Sequence, residues 1–303
     1  MPPSSIANMD YDDLPVTQRV LAATASRSGL VVVLASLATA AIAWTWLVLV
    51  AMGAGAADPG SATAVQNGWW LPIDPPAWLP SGVVDALVAL CAPVAAKDAT
   101  ATFVASLAMW SAMSVAMMMP SAAPMLRTYA DIAHTAAGRG MRVCSVWTIA
   151  AGYLVVWLGF SLAAAFAQTV LVGANVVPNL DAPVAIGGAG GLLLLAGLYQ
   201  FSSLKDACLE KCRNPFATLF GRWSDRSADI FRLGIQQGLF CLGCCWALML
   251  VMFAVGTMNL AWMAVLALFT LLEKSGTGKV TTRLVGVILA GWGGALVALA
   301  LAS

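Results

Sequence analysis

Long blocks of apolar positions alternate with short polar stretches along this chain, and the blocks predict membrane-spanning helices. Most have the roughly 17–25 residues that an α-helix needs to cross a bilayer. The pattern therefore predicts an all-α, polytopic transmembrane bundle of about seven spans. The fifth and sixth spans form a tight hairpin through Gly256 and Asn259, and the count falls to five or six if this pair does not cross. We place the spans at residues 29–53, 100–122, 143–172, 183–203, 235–256, 258–273 and 280–302.

The same pattern divides the chain into three parts. Residues 1–28 are predicted to be a cytoplasmic N-terminal tail, and residues 29–99 the first transmembrane helix with an external loop rich in tryptophan and proline. Residues 100–303 form a six-helix membrane domain. Within it, residues 204–234 mix charges with aromatic side chains, which is typical of an amphipathic surface helix. Small residues allow helices to approach closely in a membrane, and glycines cluster at Gly187, Gly188, Gly190, Gly191, Gly234 and Gly238.

The positively charged residues predict the orientation of the spans. Cytoplasmic loops of membrane proteins carry an excess of Lys and Arg. With the N-terminus in the cytoplasm, Lys97 is the one residue among the 15 Lys and Arg that falls outside. We therefore expect a multi-pass protein of the inner (cytoplasmic) membrane with a cytoplasmic N-terminus.

Composition narrows the function classes. The chain is 61% hydrophobic and 10% charged, whereas soluble domains have about 25% charged residues, so the lipid bilayer is an expected partner. A net charge of +1 gives no indication of nucleic-acid binding. His134 is the single histidine, and no Ser/His/Asp arrangement is evident, so we do not expect an enzyme.

Sulfur side chains form the strongest candidate site. Cys241, Cys245, Met249 and Met252 are spaced 4, 4 and 3 residues apart, which places them on one helix face, and Cys244 lies beside them. A second helix carries a similar stripe. Its members repeat every four residues and are Met109, Met113 and Met117.

A further cysteine pair, Cys208 and Cys212, lies at the cytoplasmic end of the fourth predicted span. The topology puts Cys241 at the cytoplasmic start of the fifth span, so both groups are expected near one membrane face. Two thiolates from each group suit a closed tetrahedral site such as zinc prefers. Fewer suit a linear or trigonal Cu(I) site, because soft sulfur ligands favour Cu(I).

Two other interpretations use the same residues. The cysteines and methionines are inert packing residues if the chain is a structural or assembly subunit of a membrane complex. Cys244 with Cys245 or Cys241 is able to exchange disulfides in a membrane thiol oxidoreductase, although cytoplasmic thiols are normally kept reduced. Glu273 and Lys274, at the end of the sixth predicted span, are expected to form an ion pair at the membrane boundary.

Several motifs together resemble a bacterial family known as predicted metal-binding integral membrane proteins, a domain of unknown function. They cover about residues 100–300. Members of the family often have Glu where this chain has Gln200, and some have His where it has Lys211. The resemblance implies a metal-linked membrane protein. The similar segments are residues 117–125, 199–205, 208–215 and 238–249, followed by Gly256, Met258, Asn259, Trp262, Met263, Glu273 and Lys274.

We therefore expect a soft-metal-binding membrane protein, with copper the first candidate and zinc the second. Its function is metal transport or delivery to a metalloenzyme, and a metal-carrier protein is another expected partner. The expected thiolate ligands are Cys208, Cys212, Cys241, Cys244 and Cys245. Weaker thioether sites deeper in the membrane, suited to an ion that must also leave, are expected at Met249, Met252, Met109, Met113 and Met117.

Overall fold

The described part of the protein is entirely helical. A computed structural model describes residues 28–57, 99–174, 186–222, 224–256, 259–276 and 279–302. The predicted tail and most of the Trp- and Pro-rich loop lie outside these ranges. In chain order, the helices of the described part are α1 (Ser28–Ala57), α2 (Ala99–Gly138), α3 (Val146–Gly173), α4 (Ile186–Tyr199), α5 (Ser203–Arg213), α6 (Pro215–Gly221), α7 (Ser227–Val255), α8 (Leu260–Ser275) and α9 (Val280–Ala302).

Five of these helices, namely α1, α2, α3, α7 and α9, are long and apolar enough to cross a membrane, as in a multi-pass membrane protein. Helices also form at the fourth and sixth predicted spans, but α4 has 14 residues and α8 has 16. At about 1.5 Å per residue these two reach about 21 and 24 Å, less than the roughly 30 Å hydrocarbon thickness. Seven spans and a cytoplasmic N-terminus remain predictions.

Two helices extend beyond their predicted bounds. Helix α2 has 40 residues and continues through Pro120 and Pro124 instead of ending at residue 122. Helix α7 begins at Ser227 instead of residue 235. The polar connection before it is not one surface helix but the short helices α5 and α6, because Asn214 ends α5 just before Pro215 starts α6.

Glycine-mediated contacts pack the bundle, as the glycine clusters predict. An added Cβ on Gly234 of α7 would collide with the backbone oxygen of Ile149 on α3, and one on Gly152 with the backbone of Phe231. Gly190 of α4 likewise lies close to the backbone of α9 at Gly293. Such close approach is how helices associate tightly in membranes.

Tryptophans connect the first three helices. The Trp44 indole donates a hydrogen bond to the carbonyl of Ala116 at 3.1 Å, which joins α1 to α2. The buried Trp110 indole donates to Gln168 Oε1 at 2.6 Å, which joins α2 to α3. Large apolar side chains such as Ile42 and Val287 are exposed, and this leaves an apolar outer surface suited to lipid.

Candidate metal centre

Helix α5 presents one face to the middle of α7. The Ser202 side chain caps α5 by accepting a hydrogen bond from the amide of Leu204 at 3.2 Å. Lys205, Cys208 and Cys212 follow at intervals of three and four residues, so they lie on one face of the helix. Lys205 is completely buried, and its ammonium donates to the carbonyl of Cys244 at 2.8 Å. This bond fixes α5 against the cysteine-rich turn of α7.

Four cysteines form a cluster between these helices. The side chain of Cys212 on α5 interacts with that of Cys244 on α7. The Sγ atoms of Cys244 and Cys245 are 3.2 Å apart, and the Cys244 thiol donates to the carbonyl of Cys241 at 3.1 Å. Cys241 interacts in turn with the side chains of Cys244 and Cys245. We call Cys212, Cys241, Cys244 and Cys245 the thiol cluster; that these cysteines are metal ligands remains a prediction.

Cys208 lies beside the thiol cluster, against Gly243 of α7. A Cβ added at Gly243 would be 2.6 Å from Cys208 Sγ, so the glycine makes room for this sulfur atom. Burial raises the pKa of the Cys208 thiol above its usual value, which favours the protonated form. Cys208 and Cys212 are half-buried, whereas the other three cysteines of the cluster are buried, so α5 contributes the more accessible sulfur atoms.

Polar groups from three other helices surround Cys241. The ammonium of Lys274, on α8, donates to Cys241 Sγ at 2.9 Å and to Ser121 Oγ at 2.8 Å. The Tyr153 hydroxyl, on α3, lies 3.0 Å from Cys241 Sγ and 3.3 Å from the carbonyl oxygen of Met118. This sulfur atom therefore has a cationic donor and a phenol within hydrogen-bond distance, in a setting with little competing water.

Glu273 and Lys274 do not pair with each other at the boundary. Both Glu273 and Lys205 are completely buried, and Lys205 Nζ lies 2.9 Å from Glu273 Oε2. Thr282 of α9 donates to Glu273 Oε1 at 2.7 Å, and the Arg213 guanidinium donates to the Glu273 carbonyl. The glutamate thus joins α5, α8 and α9, while the neighbouring lysine contacts the thiol cluster.

The two predicted methionine stripes lie in the core of the bundle. Met249 and Met252 on α7 are fully buried, and Met113 on α2 is too. Met109 and Met117 are 7% and 2% exposed, so none of the five faces outward. The stacked rings of Trp110 and Phe253, 5.0 Å apart, connect the stripe-bearing helices α2 and α7. Ordinary core packing accounts for this burial, and a role in metal binding remains a prediction.

The residues around Cys241 were not predicted as site residues. Tyr153 and Ser121 carry no distinctive spacing, since Tyr153 contacts Cys241 from α3 and Ser121 contacts Lys274 from α2. The spacing of Lys205 could have identified it as a site residue. It lies three residues before Cys208 and seven before Cys212, on the same face of the helix. A lysine on the buried face of a cysteine-bearing helix needs a buried partner.

The donor set fits a soft metal ion better than a hard one. Thiols from two helices are in contact, and the carboxylate Glu273 is already engaged by Lys205 and Thr282. Across the described ranges, no group of three or more His, Cys, Asp or Glu residues is arranged to hold a metal ion. Zinc, which usually takes four ligands, therefore gains no support, whereas a pair of thiols suits Cu(I).

These features define a multi-helix membrane-type protein with soft donors grouped midway along α7. A family described as PpoB2, copper chaperone, matches residues 107–296, well over half of the chain. The chain therefore belongs to this copper chaperone family, in agreement with the expected link to copper. No curated protein and no solved structure matches the chain.

Proposed function

We propose that this protein binds Cu(I) through the thiol cluster and passes it on, either to a metalloenzyme or across the membrane. The observation that carries the proposal is the packing of the α5 cysteines against the cysteine-rich segment of α7, with Cys208 Sγ against Gly243, in a chain of a copper chaperone family. Two thiolates from different helices would bind Cu(I) with a low coordination number. Such a site suits an ion that is held and then released.

Charge balance supports Cu(I) at this site. One Cu(I) bound by two thiolates carries a net charge of −1, and a buried charge without a partner is costly. Lys274 supplies a positive charge 2.9 Å from Cys241 Sγ. The complex of Cu(I), two thiolates and Lys274 is then neutral. Zn²⁺ with four thiolates instead carries −2, which one lysine does not balance.

A route away from the cluster is proposed along α7. Met249 lies four residues after Cys245, and Met252 three residues further on. Both are fully buried, and thioethers bind Cu(I) more weakly than thiolates do, so they suit transient sites. The Met109, Met113 and Met117 stripe on α2 would offer a second set of transient sites.

The proposed location is the inner membrane, with the thiol cluster towards the cytoplasm. The distribution of Lys and Arg supports this orientation. The cytoplasm keeps thiols reduced, as Cu(I) binding by cysteine requires. Cu(I) would then be acquired from the cytoplasmic side.

Anaerobic Cu(I) titration of the purified full-length protein tests the proposal. The measured quantity is the copper retained against a Cu(I) chelator of known affinity. Cys212→Ser and Cys244→Ser should each lower retention at least about tenfold, since each removes one of two metal–thiolate bonds. Cys144→Ser is the matched control, because this thiol lies outside the cluster and donates a hydrogen bond to the carbonyl of Asp225. Undiminished retention in both cluster variants would rule out the proposed site.

A further inference from the structure

A cavity of about 340 Å³ opens next to the two helices, α5 and α7, that carry the thiol cluster. Lys211, which immediately precedes Cys212 on α5, forms one side, and Phe240, which immediately precedes Cys241 on α7, forms another. The cavity is therefore bounded by the neighbours of two proposed copper ligands. Its remaining lining consists of Thr218, Gly221, Arg222 and Gln236.

The described lining of the cavity carries positive charge and includes no carboxylate. Lys211 and Arg222 come from different elements and both are exposed. Arg222 Nη1 donates to Gln236 Oε1 at 2.7 Å, which orients the guanidinium and leaves its other N–H groups available. In the described part of the chain, no Asp or Glu pairs with either cation. Two cations in one concave site favour a ligand that bears carboxylates.

The size of the cavity limits its ligand to a small molecule. Pockets for small molecules measure about 300–1,000 Å³, so this cavity is at the lower end of that range. It accommodates a molecule of two or three amino-acid units but not a folded carrier domain. The Thr218 hydroxyl and the Gln236 amide provide neutral hydrogen-bonding groups, and the Phe240 ring provides an apolar wall.

We propose that this cavity binds an anionic, carboxylate-bearing small thiol that carries Cu(I), and that the ion passes from this carrier to Cys212. The inference rests on the proposed function of copper binding at the thiol cluster. In the exchange, a Cu–S bond to Cys212 forms as the Cu–S bond to the carrier breaks. The proton of the Cys212 thiol goes to the departing carrier thiolate, and copper remains Cu(I) throughout.

The test compares two carriers in anaerobic, detergent-solubilised, full-length protein. Cu(I) is supplied as its complex with reduced glutathione, which bears two carboxylates, or with dithiothreitol, which bears none. The rate of transfer is followed by the ultraviolet absorbance of the new Cu(I)–thiolate bonds. For the double variant Lys211→Glu/Arg222→Glu, we expect transfer from glutathione to slow at least about tenfold, because two attractive charges become repulsive. Transfer from dithiothreitol should change less than about twofold.

A matched control and a wild-type measurement complete the test. Arg232→Glu alters an exposed arginine of α7 that does not line the cavity, and it should affect neither rate. In the wild type, added salt should slow transfer from glutathione selectively, because salt screens exposed charges. This measurement needs no variant to fold.

The outcomes separate the two proposals. If the wild type takes up Cu(I) from neither carrier, the proposed function fails. If it takes up Cu(I) from dithiothreitol, but the charge-reversed variant and added salt leave glutathione transfer unaffected, the cavity proposal alone is wrong. Equal slowing with both carriers also contradicts the cavity proposal, because carboxylate recognition then plays no part.

Discussion

Two lysines, the buried Lys205 and the half-buried Lys274, lie close to the cysteine-rich turn of α7, and their partners differ in kind. Lys205 faces the carboxylate of Glu273 and the carbonyl of Cys244, at 2.9 and 2.8 Å. Lys274 faces the sulfur of Cys241 and the hydroxyl of Ser121. The first lysine has a carboxyl group as its partner, whereas the second has a thiol, which a metal ion is able to bind.

The comparison indicates that two adjacent residues of α8 have different roles. Glu273 holds α5, α8 and α9 together by accepting from Lys205 and Thr282. Lys274 provides charge at the proposed copper site. We therefore expect the Lys205–Glu273 pair to govern stability and Lys274 to govern copper retention.

The largest effect is expected from breaking the buried ion pair. Glu273→Gln removes the negative charge and leaves the Lys205 ammonium buried without its anion, which costs about 3–5 kcal/mol of unfolding free energy. Thermal unfolding in detergent measures the loss. The double variant Lys205→Met/Glu273→Leu should recover most of it, because apolar residues of similar volume often replace a buried ion pair without loss. Asp131→Asn, in an exposed pair with Arg127, should cost less than about 1 kcal/mol.

A smaller change, in copper retention and not in stability, is expected for Lys274→Met. A hydrogen bond to a charged group contributes about 1.5–3 kcal/mol, so Cu(I) retention should fall at least about tenfold. Chelator competition measures it. Lys279→Met is the control, because it removes the same charge from an exposed lysine that pairs with Asp206. Equal losses in both variants would show that net charge, and not contact with Cys241, is responsible.

The smallest effect is expected for Ser121→Ala. This change removes one acceptor of the Lys274 ammonium but leaves Cys241 in place, so Cu(I) retention should weaken by about 1 kcal/mol or less. The same chelator competition detects it when compared with Ser275→Ala, whose hydroxyl bonds only within α8. A loss as large as that of Lys274→Met would mean that Ser121 itself fixes the lysine.

Sequence reasoning predicted the helices better than their extents. Blocks of apolar residues were long enough to predict helices at α1, α3 and α9, and small residues predicted the close packing at Gly234. The extension of α2 through Pro120 was missed, because a proline usually ends or kinks a helix. The lengths of α4 and α8 differ from those of full spans because apolar character alone does not determine where a helix ends.

The sequence by itself determined that this is an all-helical, membrane-type chain, and the spacing of its cysteines along α5 and α7 indicated soft-metal chemistry. These properties follow from local periodicity and composition, which require no knowledge of distant contacts. Only the tertiary structure decided that Glu273 faces Lys205 while Lys274 faces Cys241. Successive residues of a helix point about 100° apart, so two neighbours contact different helices, and the identity of those helices depends on how the whole bundle packs.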